Sequence, residues 1–308
     1  MSNYTHDNLR RSSRIAEANP IVTYDDSDEN KTDDEPILKS KTRKDNNKYF
    51  PEPLVDLSNK NVMFILIDIE TTGFAYEKNR IIQLAAKVLG KDSKYSFNVY
   101  VKPVDDQVSD LIYELTGISQ TFLNEVGVPF KQAYICFKNW IQQQINKNKQ
   151  VVMIAHNGKQ FDYDFITAEV ARQFKNIDSW TKDLGIHVLC DSLSILRDDD
   201  SWIDIEHKPD AFSQKKLFDH LFQRDLNGQH NAIYDVQALE EILQHPYVGS
   251  WRSIGNKKQF LLNEPNLRLQ KELELIKNNT KAQPTYFSER LLIKSRHYII
   301  IKRPEIIT

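Results

Sequence analysis

The chain has 308 residues, a 40% apolar and 27% charged composition and a formal net charge of −2, the profile of an ordinary globular protein with room for one sizeable domain plus appendages. It holds no apolar run of transmembrane length, and its first residues, MSNYTHDNLRRSSR, are too polar for a secretory signal peptide. Two distant cysteines, Cys136 and Cys190, without histidines at metal-binding spacing argue against a disulfide framework and a structural zinc site, and for an intracellular protein.

Residues 1–49 read as a disordered tail: an acidic stretch (Asp25, Asp26, Asp28, Glu29, Asp33, Asp34, Glu35) lies between the basic clusters RRSSR (10–14) and KSKTRK (39–44). The basic clusters favour the nucleus over the cytoplasm as the working compartment. Folding signals begin with NVMFILIDIE (61–70), a nearly continuous apolar run expected to be a strand covered on both faces. IIQLAAKVLG (81–90) and YSFNVYVKP (95–103) follow as neighbouring strands. A short helix is expected over Ser109 to Leu115, then a turn, TGIS. PFKQAYICFKNWIQQQI (129–145) has helical periodicity behind a proline at its first turn. VVMIAH (151–156) is a buried strand, FDYDFITAEVARQF (161–174) a helix and HVLC (187–190) a fifth strand. SQKKLFDHLF (213–222) and NAIYDVQALEEIL (231–243) are helices. Strands first, then strands alternating with helices, predict an α/β fold: a mixed sheet with helices on both faces.

Beyond Trp251 the pattern changes. Residues 251–308 carry 12 Lys and Arg against 5 Asp and Glu, a local excess of seven positive charges. A helix is expected over 263–279 and short basic strands over 289–304, a C-terminal appendage of no assigned role. The domain plan is therefore a tail over 1–49, a folded domain over 60–247 and a basic appendage over 251–308.

Three segments carry chemistry. In FILIDIETTGF, Asp68 and Glu70 are two apart at the end of a strand, so both point to one face. Two carboxylates so placed repel each other, and a divalent cation is the usual remedy. Thr71, Thr72 and Gly73 then turn the chain sharply, offering backbone amides to a phosphate, and Phe74 is placed to stack on a base or to join the core. In VVMIAHNGKQFDYDFI, Asp162 falls in the first turn of a helix. It is favoured over Asp164 because Phe161 and Phe165, four apart, both face the core and orient it. His156 and Asn157 are expected to bridge strand and loop. In GQHNAIYDVQALEEIL, His230 lies in a glycine-containing loop before a helix whose opening turns hold Asp235. A histidine titrates close to working pH and, beside acids in a cleft, becomes a general base. Asp191 is expected only to cap the short helix DSLSIL, and Asp198, Asp199 and Asp200 to border the cleft or lie in solvent.

Together these segments resemble the three motifs of the DEDD superfamily of 3′–5′ exonucleases, in its histidine-bearing branch. Asp68-x-Glu70 with Thr-Thr-Gly is similar to the first motif, His156-Asn157-Gly158 through Asp162 to the second, and His230-Asn231-Ala232-x-x-Asp235 to the third. The sister branch has a tyrosine four residues before the last aspartate, where this chain has Asn231. LTGIS (115–119) resembles a family segment in which Ile118 would contact the terminal nucleotide. The resemblance covers residues 60–245. It implies a ribonuclease H-like fold with a five-stranded mixed sheet, and two Mg²⁺ (or Mn²⁺) ions held by Asp68, Glu70, Asp162 and Asp235. It also implies His230 as the base that takes the proton of an attacking water, and release of nucleoside 5′-monophosphates. The substrate would be nucleic acid with a free 3′ end, single-stranded, with DNA favoured over RNA. Thr71, Thr72, Gly73, Phe74, Ile118 and Asn157 are the expected substrate contacts. The competing readings are a catalytically silent nucleic-acid-binding module and an exoribonuclease.

Overall fold

The structure, a computed structural model, describes residues 53–262 apart from 146–148, 175, 176 and 178. The expected N-terminal tail, the helix over 263–279 and the strands over 289–304 lie outside the described residues. In chain order, three strands come first: β1 (Val62–Thr71), β2 (Ile81–Val88) and β3 (Ser96–Tyr100). The helices α1 (Asp110–Thr116), α2 (Gln120–Val126) and α3 (Phe130–Gln144) follow. Then come β4 (Gln150–Ala155), α4 (Asp162–Gln173), α5 (Trp180–Leu184), β5 (Val188–Asp191) and α6 (Ser192–Leu196). The described part ends with α7 (Gln214–Phe222), α8 (Ala232–Gln244) and α9 (Trp251–Lys257). Among the described residues no helix is long and apolar enough to cross a membrane.

The strands form one sheet in the order β3-β2-β1-β4-β5. The first three pair antiparallel, whereas β1–β4 and β4–β5 are parallel. It is thus the expected five-stranded mixed sheet, and β1, buried along almost its whole length, is its centre.

Strand alternation sorts β1 between two apolar layers. Met63, Ile65, Ile67 and Ile69 join a core with α3, α4 and α5, built around Tyr134, Phe137, Phe165 and Trp180. Val62, Phe64 and Leu66 join the other, with Leu217 and Phe218 of α7, Val236 and Leu239 of α8, and Trp251 of α9. Asp68 and Glu70 continue this even-numbered series, so their carboxylates are delivered to the side on which α8 packs. Glu240 of α8 ion-pairs with the buried Lys87 of β2 and accepts from the Gly90 amide at 2.7 Å, which fixes the helix against the sheet.

The packed unit runs past the expected span at both ends. Val55 and Leu57 are core residues, and their amides donate to Gln259 Oε1 (2.9 Å) and Asn256 Oδ1 (2.7 Å). Phe260 bridges the edge of β5 through two bonds of 3.0 Å with Leu189. The stretch from Trp251 to Phe260 is therefore part of the domain. Three short helices, α2, α5 and α9, were not among the sequence expectations; each is only five to seven residues long, too short to display an amphipathic period.

Candidate active site

The register of β1 opens the site. Its parallel pairing with β4 stops at Leu66↔Ile154, while its pairing with β2 continues through Asp68↔Ala85 and Glu70↔Gln83. β1 therefore projects past β4 at the carboxyl ends of the parallel strands, the place where open α/β sheets form crevices for ligands. Asp68 and Glu70 stand on that projection.

Asp235 reaches the same place from the first turn of α8. One carboxylate oxygen each of Asp68, Glu70 and Asp235 lie within 4.8 Å of one another, close enough to share a cation. Asp162 comes from the opposite layer, in the first turn of α4. Its carboxylate is 2% exposed and faces the backbone amide of Ile69, between the two β1 acids. Local sequence places it there. Gly158 lets the chain turn tightly, since a Cβ at that position would come within 2.5 Å of Ala155 Cβ and 2.9 Å of the Tyr163 ring. The rings of Phe161 and Phe165 pack at a tilt of 53°, 4.8 Å between centres, anchoring the helix start to the core.

The electrostatics of the four acids follow from crowding. Burial, then the repulsion of Asp162, Asp235 and Glu70, raises the pKa of Asp68 well above the usual carboxylate range. Burial, then Asp235 and Asp162, pushes Glu70 up to about 8. Burial also raises Asp162 to about 8, with Asp191 adding to the effect and the amides of Asp162 itself and Ile69 opposing it. Asp235 is pushed up to about 7 by burial, against hydrogen bonds from the His230 and Asn231 backbone. Asp162 Oδ1 is moreover buried without a hydrogen-bond partner. A buried acceptor left without a donor, amid carboxylates that repel one another, is the signature of a cation-binding site. An oxygen-only donor set suits hard divalent ions such as Mg²⁺ or Mn²⁺.

His230 lies in the loop before α8, at the exposed lip of the site. Its backbone adopts φ +62°, the left-handed region that side chains other than glycine rarely occupy. Partial burial lowers its pKa below the ordinary histidine value. His156 is different: Nε2 donates to the Phe212 carbonyl (2.8 Å) and Nδ1 meets Ser192 Oγ (3.0 Å), so the ring bridges strand and loop as expected. Asp164, the weaker candidate, is half-buried on α4, two residues past Asp162.

The expected substrate contacts divide. Phe74 is 72% exposed, three residues after Thr71 at the end of β1, and its ring is available for stacking. Thr71 and Thr72 are buried, and their hydroxyls are committed within the protein: Thr71 Oγ1 donates to the Gly73 carbonyl (2.6 Å), and Thr72 Oγ1 bonds Asp106. These hydroxyls shape the turn. At Gly73 the close approach is made by the Asn79 side chain, 2.6 Å from where a Cβ would stand, so a side chain there would have to displace it. Ile118, only 3% exposed, packs with Ile82, Ile112 and Leu123 as core. Asn157 is half-buried at φ +62°, and its amide donates to Asp191 Oδ1 (3.0 Å).

Asp191 does more than the expected capping. Besides accepting from Leu193 N (3.0 Å), it accepts from Asn157 N (3.0 Å) and Lys159 N (3.2 Å), so one carboxylate shapes the loop that leads into Asp162. Its position at a strand end was visible in the sequence; its partners some thirty residues away were not.

With this geometry in place, known proteins supply the family. The RNase T family model, described as exonuclease, matches residues 65–243. The chain belongs to that exonuclease family. Cap18 of Escherichia coli, a 3′–5′ DNA exonuclease, is 31% identical over 182 residues, covering 59% of this chain and 90% of that protein. Exonuclease DPD1 of Arabidopsis thaliana, chloroplastic/mitochondrial, is 27% identical over 191 residues, covering 61% of this chain and 57% of the plant protein. This chain thus spans little more than half of DPD1. A solved structure of exonuclease I, 18% identical with a TM-score of 0.50 over 62% of this chain and 42% of the other, shares the fold. The chain is accordingly a DEDD-superfamily enzyme, a 3′–5′ exonuclease that hydrolyses phosphodiester bonds in nucleic acid.

Proposed function

We propose that this exonuclease is dependent on two Mg²⁺ (or Mn²⁺) ions and removes nucleoside 5′-monophosphates one at a time from the 3′ end of single-stranded DNA. The observation that carries the metal assignment is the convergence of Asp68, Glu70 and Asp235 oxygens within 4.8 Å beside the partnerless Asp162 Oδ1. These four residues would hold the ions. When bound, the ions supply charge neutralisation and Lewis-acid polarisation of the phosphodiester.

The chain's own residues do the rest. His230, kept neutral at physiological pH by its lowered pKa, takes a proton from the attacking water on an imidazole nitrogen. The water oxygen bonds to phosphorus, and the bond to the 3′-oxygen of the shortened strand breaks. The departing nucleotide carries the 5′-phosphate, and the 3′-oxygen left on the strand takes a proton from solvent to restore a 3′-hydroxyl. Phe74 stacks on an unpaired terminal base, which a duplex end would not offer. The preference for DNA is supported by the likeness to Cap18, whose name gives DNA as its substrate.

The test is a panel of 5′-labelled single- and double-stranded DNA and RNA with Mg²⁺, Mn²⁺ or EDTA. A ladder descending one nucleotide at a time from single-stranded DNA, abolished by EDTA, is expected. Internal cuts, or no product with either metal, would contradict the proposal.

A further inference from the structure

Gln83 is fully buried on β2, where it is the cross-strand neighbour of Glu70. Its side-chain oxygen accepts from the Ala232 amide (3.2 Å), and its Nε2 donates to Oδ1 of both Asn231 and Asn98 (3.0 Å each). The orientation is fixed by chemistry: a backbone N–H can only donate, so the atom facing it is the oxygen, and the NH₂ group must face the two asparagines. Asn231 is the N-cap of α8 yet makes no side-chain capping bond. The cap is supplied instead from the neighbouring sheet, by Gln83.

Two of the three residues that Gln83 grips, Asn231 and Ala232, immediately follow His230. That histidine is at φ +62°, and Gly228 just before it at +78°. The glycine adopts such backbone freely, but at His230 it persists only where its surroundings enforce it. An apolar residue of equal size would fill the space but release the loop, and an acid would place a further negative charge beside Glu70. A neutral amide both donates and accepts without adding charge.

We propose that Gln83 is a positioning residue, which acts through Asn231 and Ala232 to hold His230 in reach of the reacting water. It rests on the reading of His230 as the base. Gln83→Met keeps the length and apolar packing while removing all three bonds. The expected result is a kcat about 10- to 100-fold lower, the scale of a misplaced catalytic group. KM should stay within about threefold and half-saturating Mg²⁺ within about twofold, since α8 remains anchored by its core residues. In a His230→Ala background the same change should cost less than about threefold, because the group being positioned is gone. An equal loss in both backgrounds, or a Gln83→Met kcat within threefold of the parent, would overturn the proposal. Asn231→Ala reads the same coupling should Gln83→Met fold poorly. Hydrogen exchange over residues 226–231 reads the anchoring without any turnover. Faster exchange in Gln83→Met is expected and unchanged exchange would refute it, whereas a parent enzyme that releases no nucleotide would instead refute the functional reading.

Discussion

Replacing Asp162 by Asn should make the metal-free protein more stable while destroying its activity. The folded chain holds a proton on Asp162 up to about 8, against an ordinary value of 3.8, because the carboxyl is buried and crowded. A raised folded-state pKa means that the stability linked to this proton is complete below about 3.8 and is lost as pH rises through about 8. The rise corresponds to a ceiling on the order of 5 kcal/mol at pH 8. Asparagine keeps the shape and cannot ionise, so part of that cost, about 2 kcal/mol after the site relaxes, should be recovered. For a domain of this size that is ~4–8 °C in Tm. At pH 5 the same linkage leaves roughly a third of the effect. Thermal unfolding in EDTA at pH 8 and pH 5 measures both. Adding Mg²⁺ at pH 8 should reverse the order, raising the Tm of the parent and not of the variant. A gain equal at both pH values, or a loss at pH 8, would refute the electrostatic reasoning.

Asp68→Ala and Asp235→Ala should each abolish mononucleotide release with the circular dichroism spectrum unchanged; a fully active Asp68→Ala enzyme would rule out the assignment. His230→Ala should lower kcat by about 10²–10⁴-fold. It should also remove the acid limb of the pH–rate profile, whose midpoint in the parent lies below the ordinary histidine value because burial disfavours the charged ring. Asp191→Ala strips the acceptor from the amides of Asn157, Lys159 and Leu193, which at about 1 kcal/mol each should cost about 2–3 kcal/mol in urea unfolding. It should also weaken activity by loosening the loop before Asp162.

What could be read in the sequence was what short-range periodicity and spacing encode. Alternation along β1 put Asp68 and Glu70 on one face, and the Phe161/Phe165 pair selected Asp162 over Asp164, because both signals lie within four residues of the acid concerned. How Thr71, Thr72 and Ile118 pack was illegible for the opposite reason. Whether a hydroxyl or an isoleucine faces outward depends on Asp106, Ile82 and Leu123, which no local pattern ties to them. The capping by Asp191 was local and legible, but its bonds to Asn157 and Lys159, and those of Gln83 to Asn231 and Ala232, were not, since these partners lie 32 or 34 and 148 or 149 residues away. The domain edges were also illegible: Val55 and Leu57 fall between the expected tail and domain, and their anchors, Asn256 and Gln259, are about two hundred residues away.

The most direct measurement is to locate Mn²⁺ by its anomalous scattering in crystals of the active-site-competent protein soaked at neutral pH. Density bounded by Asp68, Glu70, Asp162 and Asp235 is the expected result. Crystals in which these carboxylates stay protonated and metal-free at millimolar Mn²⁺, while the enzyme turns over, would contradict it.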